Sequence, residues 1–277
     1  MALTSFVPAE PLESYQERFR EHAVFSRDDK GVLEIRFHTR GEVATWSMQL
    51  HRALPQIFSA VGQDPENECV ILSGTGDHWL KGHDLESFAE AESDPDHFRD
   101  TNYDTWYLDG TRLQQALLYD IDVPIISVIN GPGYHTEFGL MCDLTIASDD
   151  VRFWDPHYYI GLVPGDGQFM VFQELLGLKR AAYTMYVREE GIGAEEALEL
   201  GLVNELHPRE NLLPRAHELA DQIMSQHRIV RRLTTSLARR PWKRLFTDDF
   251  HAHFASELYA VQISRVHHDA EIEKNHF

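Results

Sequence analysis

Hydrophobic and polar positions follow two periods along this chain. Residues 32–39 (VLEIRFHT), 69–74 (CVILSG), 123–130 (VPIISVIN), 144–148 (LTIAS) and 151–154 (VRFW) are short apolar runs rich in β-branched side chains, and they predict strands. Residues 47–62 (SMQLHRALPQIFSAVG) instead space their apolar side chains as one face of a helix. A helix is also expected from DPDHFRD at residues 94–100 through TRLQQALL at 111–118, and another at 167–176, GQFMVFQELL. Beyond Glu210 the pattern is helical throughout: residues 211–226, residues 229–240, and a last helix from about Phe246 to Ile263. Strand and helix in alternation predict α/β layers, with a helical stretch after them.

Candidate chemistry concentrates between Val128 and Gly167, where glycines and short strands frame three reactive side chains: His135, His157 and Asp166. His157 and Asp166 flank a Gly- and Pro-containing turn, YYIGLVPG, that can bring their side chains together. An aspartate accepting from one imidazole nitrogen fixes the tautomer and leaves the other nitrogen basic toward a water. Asp166 also precedes an expected helix, so capping free amides is its structural alternative. His135 lies in a glycine-rich loop without a carboxylate partner evident in sequence, where it can donate to an oxyanion or serve as a satisfied loop histidine.

The segments CVILSGTGDHWLKGHDLESF, VINGPGYHTEFGLMCDLTIAS, GLVPGDG and GAEEALELGLVNEL resemble the crotonase superfamily, the enoyl-CoA hydratase/isomerase fold, and the likeness spans residues 25 to 226. It implies an α/β fold, a spiral of ββα units with a C-terminal helical extension that builds a trimer. The core is then expected over residues 1–210 and the extension over 211–277. Hydratases of this family carry a glycine triplet and a catalytic glutamate after the NG turn, and a second glutamate after a proline. Here the loop is Gly131-Pro132-Gly133-Tyr134-His135-Thr136-Glu137, and His157 follows Pro156. The hydratase pair of carboxylates is read as missing.

That replacement resembles a narrower branch, the 6-oxocamphor hydrolase and β-diketone hydrolase group, which cleaves a carbon–carbon bond between two carbonyls. The resemblance carries His157, Asp166 and His135 over as catalytic residues. It carries Trp46, His51 and Glu257 over as substrate-binding residues. Trp46 and His51 fall in the expected helix start ATWSMQLHRAL, five residues apart and so off a common face, and Trp46 also reads as ordinary core. Glu257 lies four residues after His253, the spacing of an exposed helix pair. Alternatives within the family are an acyl-CoA hydratase, isomerase or hydrolase, and a member without catalysis.

Composition narrows the partners. A net charge of −20 opposes encounter with nucleic acid or an anionic membrane. Sixteen histidines invite a metal reading, but His251 and His253 point to different helix faces and His267-His268 lacks a third ligand, so no metal site is expected. No cofactor is expected either. Arg231, Arg232, Arg239, Arg240, Lys243 and Arg244 could grip coenzyme A phosphates, but are read as solvated helix faces or interface salt bridges. Cys69 and Cys142 sit in apolar runs and read as buried thiols. The N-terminal residues lack a signal-peptide pattern and no apolar run reaches membrane-spanning length, so a soluble cytoplasmic protein is expected, a homotrimer or dimer of trimers acting on a small β-diketone.

Overall fold

A computed structural model describes residues 9–84, 86–87 and 102–274. The expected helix start at 94–100 lies outside these residues. Its continuation is present as a helical run that is π-helical over Asn102–Leu108, α-helical over Asp109–Gln115 and π-helical again over Ala116–Asp120.

Four of the five apolar runs lie in one sheet. Strands β1 (Ala23–Arg27) and β2 (Val32–Thr39) pair antiparallel, with the two-residue β3 (Glu42–Val43) also on β2. From β2 the sheet continues in parallel through β4 (Cys69–Gly74), β5 (Ile125–Ile129), β6 (Leu144–Ser148) and β9 (Glu205–His207). Two short strands, β7 (Arg152–Phe153) and β8 (Ile192–Gly193), form a separate antiparallel pair. Parallel strands need crossovers, which place helices over the sheet and bury both of its faces. This is why CVIL is continuously apolar and IISVI is interrupted only by the buried Ser127.

Side chains alternate between two cores. Leu33, Ile35, Phe37, Val70, Leu72 and Ile129 face the helix Met48–Gln63, which supplies Leu50, Leu54, Ile57 and Phe58. Val32, Cys69, Ile71, Ile126, Val128 and Ile146 face the opposite way, onto Leu212, Ala216 and Ala220 of the helix Arg209–Met224. Each fully buried Leu, Ile or Phe stabilises the fold by roughly 1.5–3 kcal/mol relative to exposure. The helix expected to open the C-terminal extension therefore forms one layer of the core. Both cysteines are buried and unpaired, as expected.

The C-terminal helices are present, but their basic residues do not all face solvent. Arg231 is buried on Glu68, and Arg239 is buried where its guanidinium binds Asp143 and donates to the Val123 carbonyl at 2.8 Å. The reading of these two as solvated is corrected: a buried guanidinium needs a carboxylate and carbonyls around it, and both have them. On the helix Arg228–Ala238 the polar residues Arg231, Thr235 and Arg239 point inward while Ile229, Val230, Leu233 and Leu237 are exposed.

Two interlocked loops at the carboxyl ends of β4 and β5 set up the site. Asn130 accepts from the Gly74 amide at 2.9 Å and donates to the Gly76 and His78 carbonyls at 2.9 and 3.0 Å. Gly131 lies so close that a Cβ there would stand 1.9 Å from the Asp77 carbonyl oxygen. The last helix, His251–Lys274, packs on the Pro164-Gly165 turn. Its approach needs Gly165, where a Cβ would stand 2.2 Å from the His253 carbonyl oxygen and 2.7 Å from Glu257 Cβ. The carboxyl edge of a parallel sheet is where ligands bind in open α/β folds.

Candidate active site

His135 ends the loop after β5 in the left-handed region, φ +52°, a conformation that costs a non-glycine residue about 1 kcal/mol or more. Four contacts hold it there. Its ring stacks on Trp46 with centroids 3.6 Å apart and planes at 22°, and Trp79 Nε1 donates to its carbonyl at 3.1 Å. Its Nδ1 lies 3.3 Å from Glu137 Oε1 and 3.3 Å from Asp166 Oδ2. The absence of a carboxylate partner, as read from sequence, is thereby corrected: two carboxyls from different loops flank one ring nitrogen.

His157 opens a 3-10 turn, His157–Ile160. Asp155 Oδ1 accepts from the His157 amide at 2.9 Å and approaches its Nδ1 at 2.6 Å, so the ring is clamped by the aspartate two residues before it. The expected hydrogen bond from Asp166 is therefore corrected. An aspartate reaching the amide two residues on is a local Asx arrangement that needs no long-range folding, and it takes Nδ1 first. Asp166 stays close: one oxygen each of Asp155 and Asp166 and a ring nitrogen of His157 lie within 4.8 Å of one another. Asp166 also keeps part of its capping role, Oδ1 accepting from Gln168 N at a long 3.4 Å.

Glu257 is buried, and the expectation of an exposed pair with His253 is corrected, because helix His251–Lys274 turns this side chain onto the Pro164-Gly165 turn. Its Oε2 accepts from Gly165 N at 3.0 Å and its Oε1 lies 4.0 Å from His157 Nε2. Trp46 precedes the helix instead of starting it. It runs extended as an isolated parallel bridge to His83, with Trp46 N donating to Gly82 O at 2.7 Å, while Ser47 caps the helix. Freed from helical geometry, its ring meets His51 edge-on at 5.3 Å as well as His135. His51 is buried, and its Nδ1 has no hydrogen-bond partner among the described residues.

Burial and charge set the proton inventory. Burial alone would lower His157, but the charge of Asp166 and the hydrogen bond and charge of Asp155 hold it well above its ordinary 6.5. Burial pushes Glu257 up to about 8, helped by Asp166. Burial also raises Asp166, but His157 and His135 outweigh it and hold the carboxyl below its usual range. Burial, then His135, lowers His51 to about 3, which keeps that ring neutral. The cluster therefore carries a carboxylate, a neutral carboxyl and a basic imidazole side by side. His157 is expected to titrate above 6.5 in histidine NMR, and Asp155→Asn to move it down by removing a partner of the cation. An unchanged titration would contradict the clamp.

Asp155, Glu137 and His83 join the site without having been singled out in the sequence. The His83 ring lies 4.8 Å from Tyr134 and 5.8 Å from His135. The Asp-Pro-His run was the legible signal for Asp155. Two donor sets, His135 with Glu137 and Asp166, and His157 with Asp155 and Asp166, bring ligand atoms within 4.8 Å and so could meet a cation, a grouping that local sequence spacing did not reveal. An apolar cavity of about 450 Å³, lined by Tyr158, Leu162, Phe169, Met185 and His253, adjoins the loop between His157 and Asp166.

The family model for enoyl-CoA hydratase/isomerase matches residues 27–257. The chain belongs to that family. Among solved structures it is similar to a β-diketone hydrolase from the cyanobacterium Anabaena sp. PCC 7120 bound to (S)-3-oxocyclohexyl acetic acid. The two are 33% identical with a TM-score of 0.83, over 92% of this chain and 99% of that one. Among characterised relatives it is similar to a crotonyl-CoA hydratase from Syntrophomonas wolfei, 29% identical over 65% of this chain and 67% of the relative. It also resembles a hydroxycinnamoyl-CoA hydratase-lyase from Pseudomonas fluorescens, 25% identical over 80% and 79%. The enoyl-CoA hydratase/isomerase fold is thus shared by proteins named for different activities, and the site must decide among them.

Proposed function

We propose that this family member hydrolyses the carbon–carbon bond of a β-diketone, a retro-Claisen reaction. The observation that carries the reading is the pairing of a clamped imidazole, His157, with a neutral carboxyl, Glu257, 4.0 Å from its free nitrogen. The likeness to the Anabaena hydrolase supports it, because the ligand of that structure has a ketone and a carboxylic acid, the groups left when a cyclic β-diketone is hydrolysed.

In this mechanism the His157 Nε2 takes a proton from water while Nδ1–H stays on Asp155. The hydroxide adds to one carbonyl, and the neutral Glu257 O–H donates to a ketone oxygen. Collapse of the tetrahedral adduct breaks the carbon–carbon bond. The leaving carbon departs as an enolate whose oxygen accepts from His135, with the Trp46 indole beside it as a second donor. Asp166 holds charge between both imidazoles. The second carbonyl of a β-diketone delocalises the leaving electron pair, so no thioester is needed.

The second reading, an acyl-CoA enzyme, is favoured by the sequence relatives, whose names carry coenzyme A thioesters. Against it, the buried Arg231 and Arg239 are already committed to Glu68 and Asp143. Mass spectrometry of cyclic and open-chain β-diketones beside crotonyl-CoA tests the choice. Diketones are expected to yield a carboxylic acid and a ketone, with activity that survives exhaustive chelation and needs no coenzyme A. Hydration of crotonyl-CoA with inert diketones would replace this reading by the second.

A further inference from the structure

Glu137 is a buried group of the site that the steps above leave unused. It is the first residue of the short helix Glu137–Leu140 and is only 2% exposed. Sequence reading took the helix carboxylate after the NG turn as missing, yet a carboxyl opens this helix. Its Oε1 lies 3.3 Å from His135 Nδ1, and its Oε2 has no hydrogen-bond partner among the described residues. Gly167, at φ +124°, packs behind it so closely that a Cβ there would stand 3.4 Å from Glu137 Cγ and 3.4 Å from the Phe250 ring. The carboxyl thus has the imidazole on one side and packed protein on the other.

Two carboxyls, the buried Glu137 and the half-buried Asp166, stand at equal distance from one ring nitrogen. Two like charges at such a place are unfavourable, so one carboxyl keeps its proton. Burial raises Glu137 most and outweighs the His135 ring, which lowers it, with the Asp166 charge adding to the rise, whereas Asp166 is held low by His157 first. The proton therefore belongs to Glu137.

We propose that Glu137 is the proton store for the enolate, passing its carboxyl proton to His135 Nδ1 as the Nε2 proton of that ring moves to the enolate oxygen. The inference rests on the β-diketone reading. The balance closes. The Nε2–H bond breaks and an O–H bond forms, giving an enol that ketonises in water. The Glu137 O–H bond breaks and Nδ1–H forms, so the ring gains one proton as it gives up another. Glu137 is left as a carboxylate and His157 holds the proton taken from water. Transfer of that proton through solvent to Glu137 after product release, with His135 returning to its first tautomer, restores the site. The net consumption is one water.

Glu137→Gln keeps the shape and removes the acidic proton. A kcat loss of about 10²-fold with little change in KM is expected, in the range of a positioned acid–base group. The basic limb of the wild-type kcat–pH profile due to Glu137 ionisation should vanish in the glutamine variant, and Glu137→Asp should restore part of the rate and the limb. A purely structural role would not move that limb. Carboxyl NMR of the wild-type chain labelled with ¹³C-glutamate reads the proton without turnover and without relying on the folding of a variant at position 137. Two glutamates should remain protonated at neutral pH, one of them Glu257 by its loss in Glu257→Gln. Wild-type kcat and pH profile in a folded Glu137→Gln protein, or a single protonated glutamate, would overturn the proposal. If wild type cleaves diketones, such a result removes this inference alone; if wild type cleaves none, the parent reading falls and takes this one with it.

Discussion

Replacing His157 by alanine is expected to lower kcat on a β-diketone by roughly two to four orders of magnitude, the range for removing a positioned base. The whole environment of this ring argues for that size. Asp155 fixes the tautomer, Asp166 raises the basicity, and Nε2 is left toward Glu257. Because the imidazole must be neutral to take a proton, kcat/KM should rise with pH through the elevated His157 value. Asp166→Asn withdraws the largest charge that raises it, so kcat should fall while the acid limb moves to lower pH. Steady-state kinetics across pH on folded variants checks both. Near-wild-type turnover in His157→Ala would remove the imidazole from the mechanism.

His135→Ala is expected to depress kcat by about 10²–10³ with a much smaller change in KM, the loss of one oxyanion-hole donor. Interactions made only as charge develops on the enolate lower kcat without weakening substrate binding. The strained backbone at φ +52°, the stacking on Trp46 and the Trp79 bond to the carbonyl all fix one ring position, so the donor needs little reorganisation. A steep rise in KM at constant kcat would make His135 a ground-state contact.

The strands were legible because parallel strands buried on both faces are written as unbroken apolar runs, and the family resemblance placed all six candidate residues. Trp46, His51, His135, His157, Asp166 and Glu257 do converge, from segments as distant as the stretch after β3 and the last helix. What sequence could not rank was competition for one imidazole nitrogen. Asp155, two residues away, and Asp166, nine residues on, are both within reach, and only the turn geometry gives Nδ1 to Asp155. Glu137 was passed over because a loop without the glycine triplet looked stripped of its carboxylate, when the side chain had turned inward onto His135. Helix periodicity likewise marked Arg231 and Arg239 as polar without showing that the polar face of that helix is the buried one. Periodicity reports two faces; only the partners Glu68 and Asp143 say which face is inside.

The most direct test of β-diketone hydrolysis is to incubate the chain with a symmetric cyclic β-diketone in ¹⁸O-labelled water and follow the products by mass spectrometry. The account predicts a ring-opened keto acid one water heavier than the substrate, with a single ¹⁸O retained in its carboxyl group and none acquired from the enzyme step in its ketone. Intact diketone under conditions where crotonyl-CoA is hydrated would contradict it.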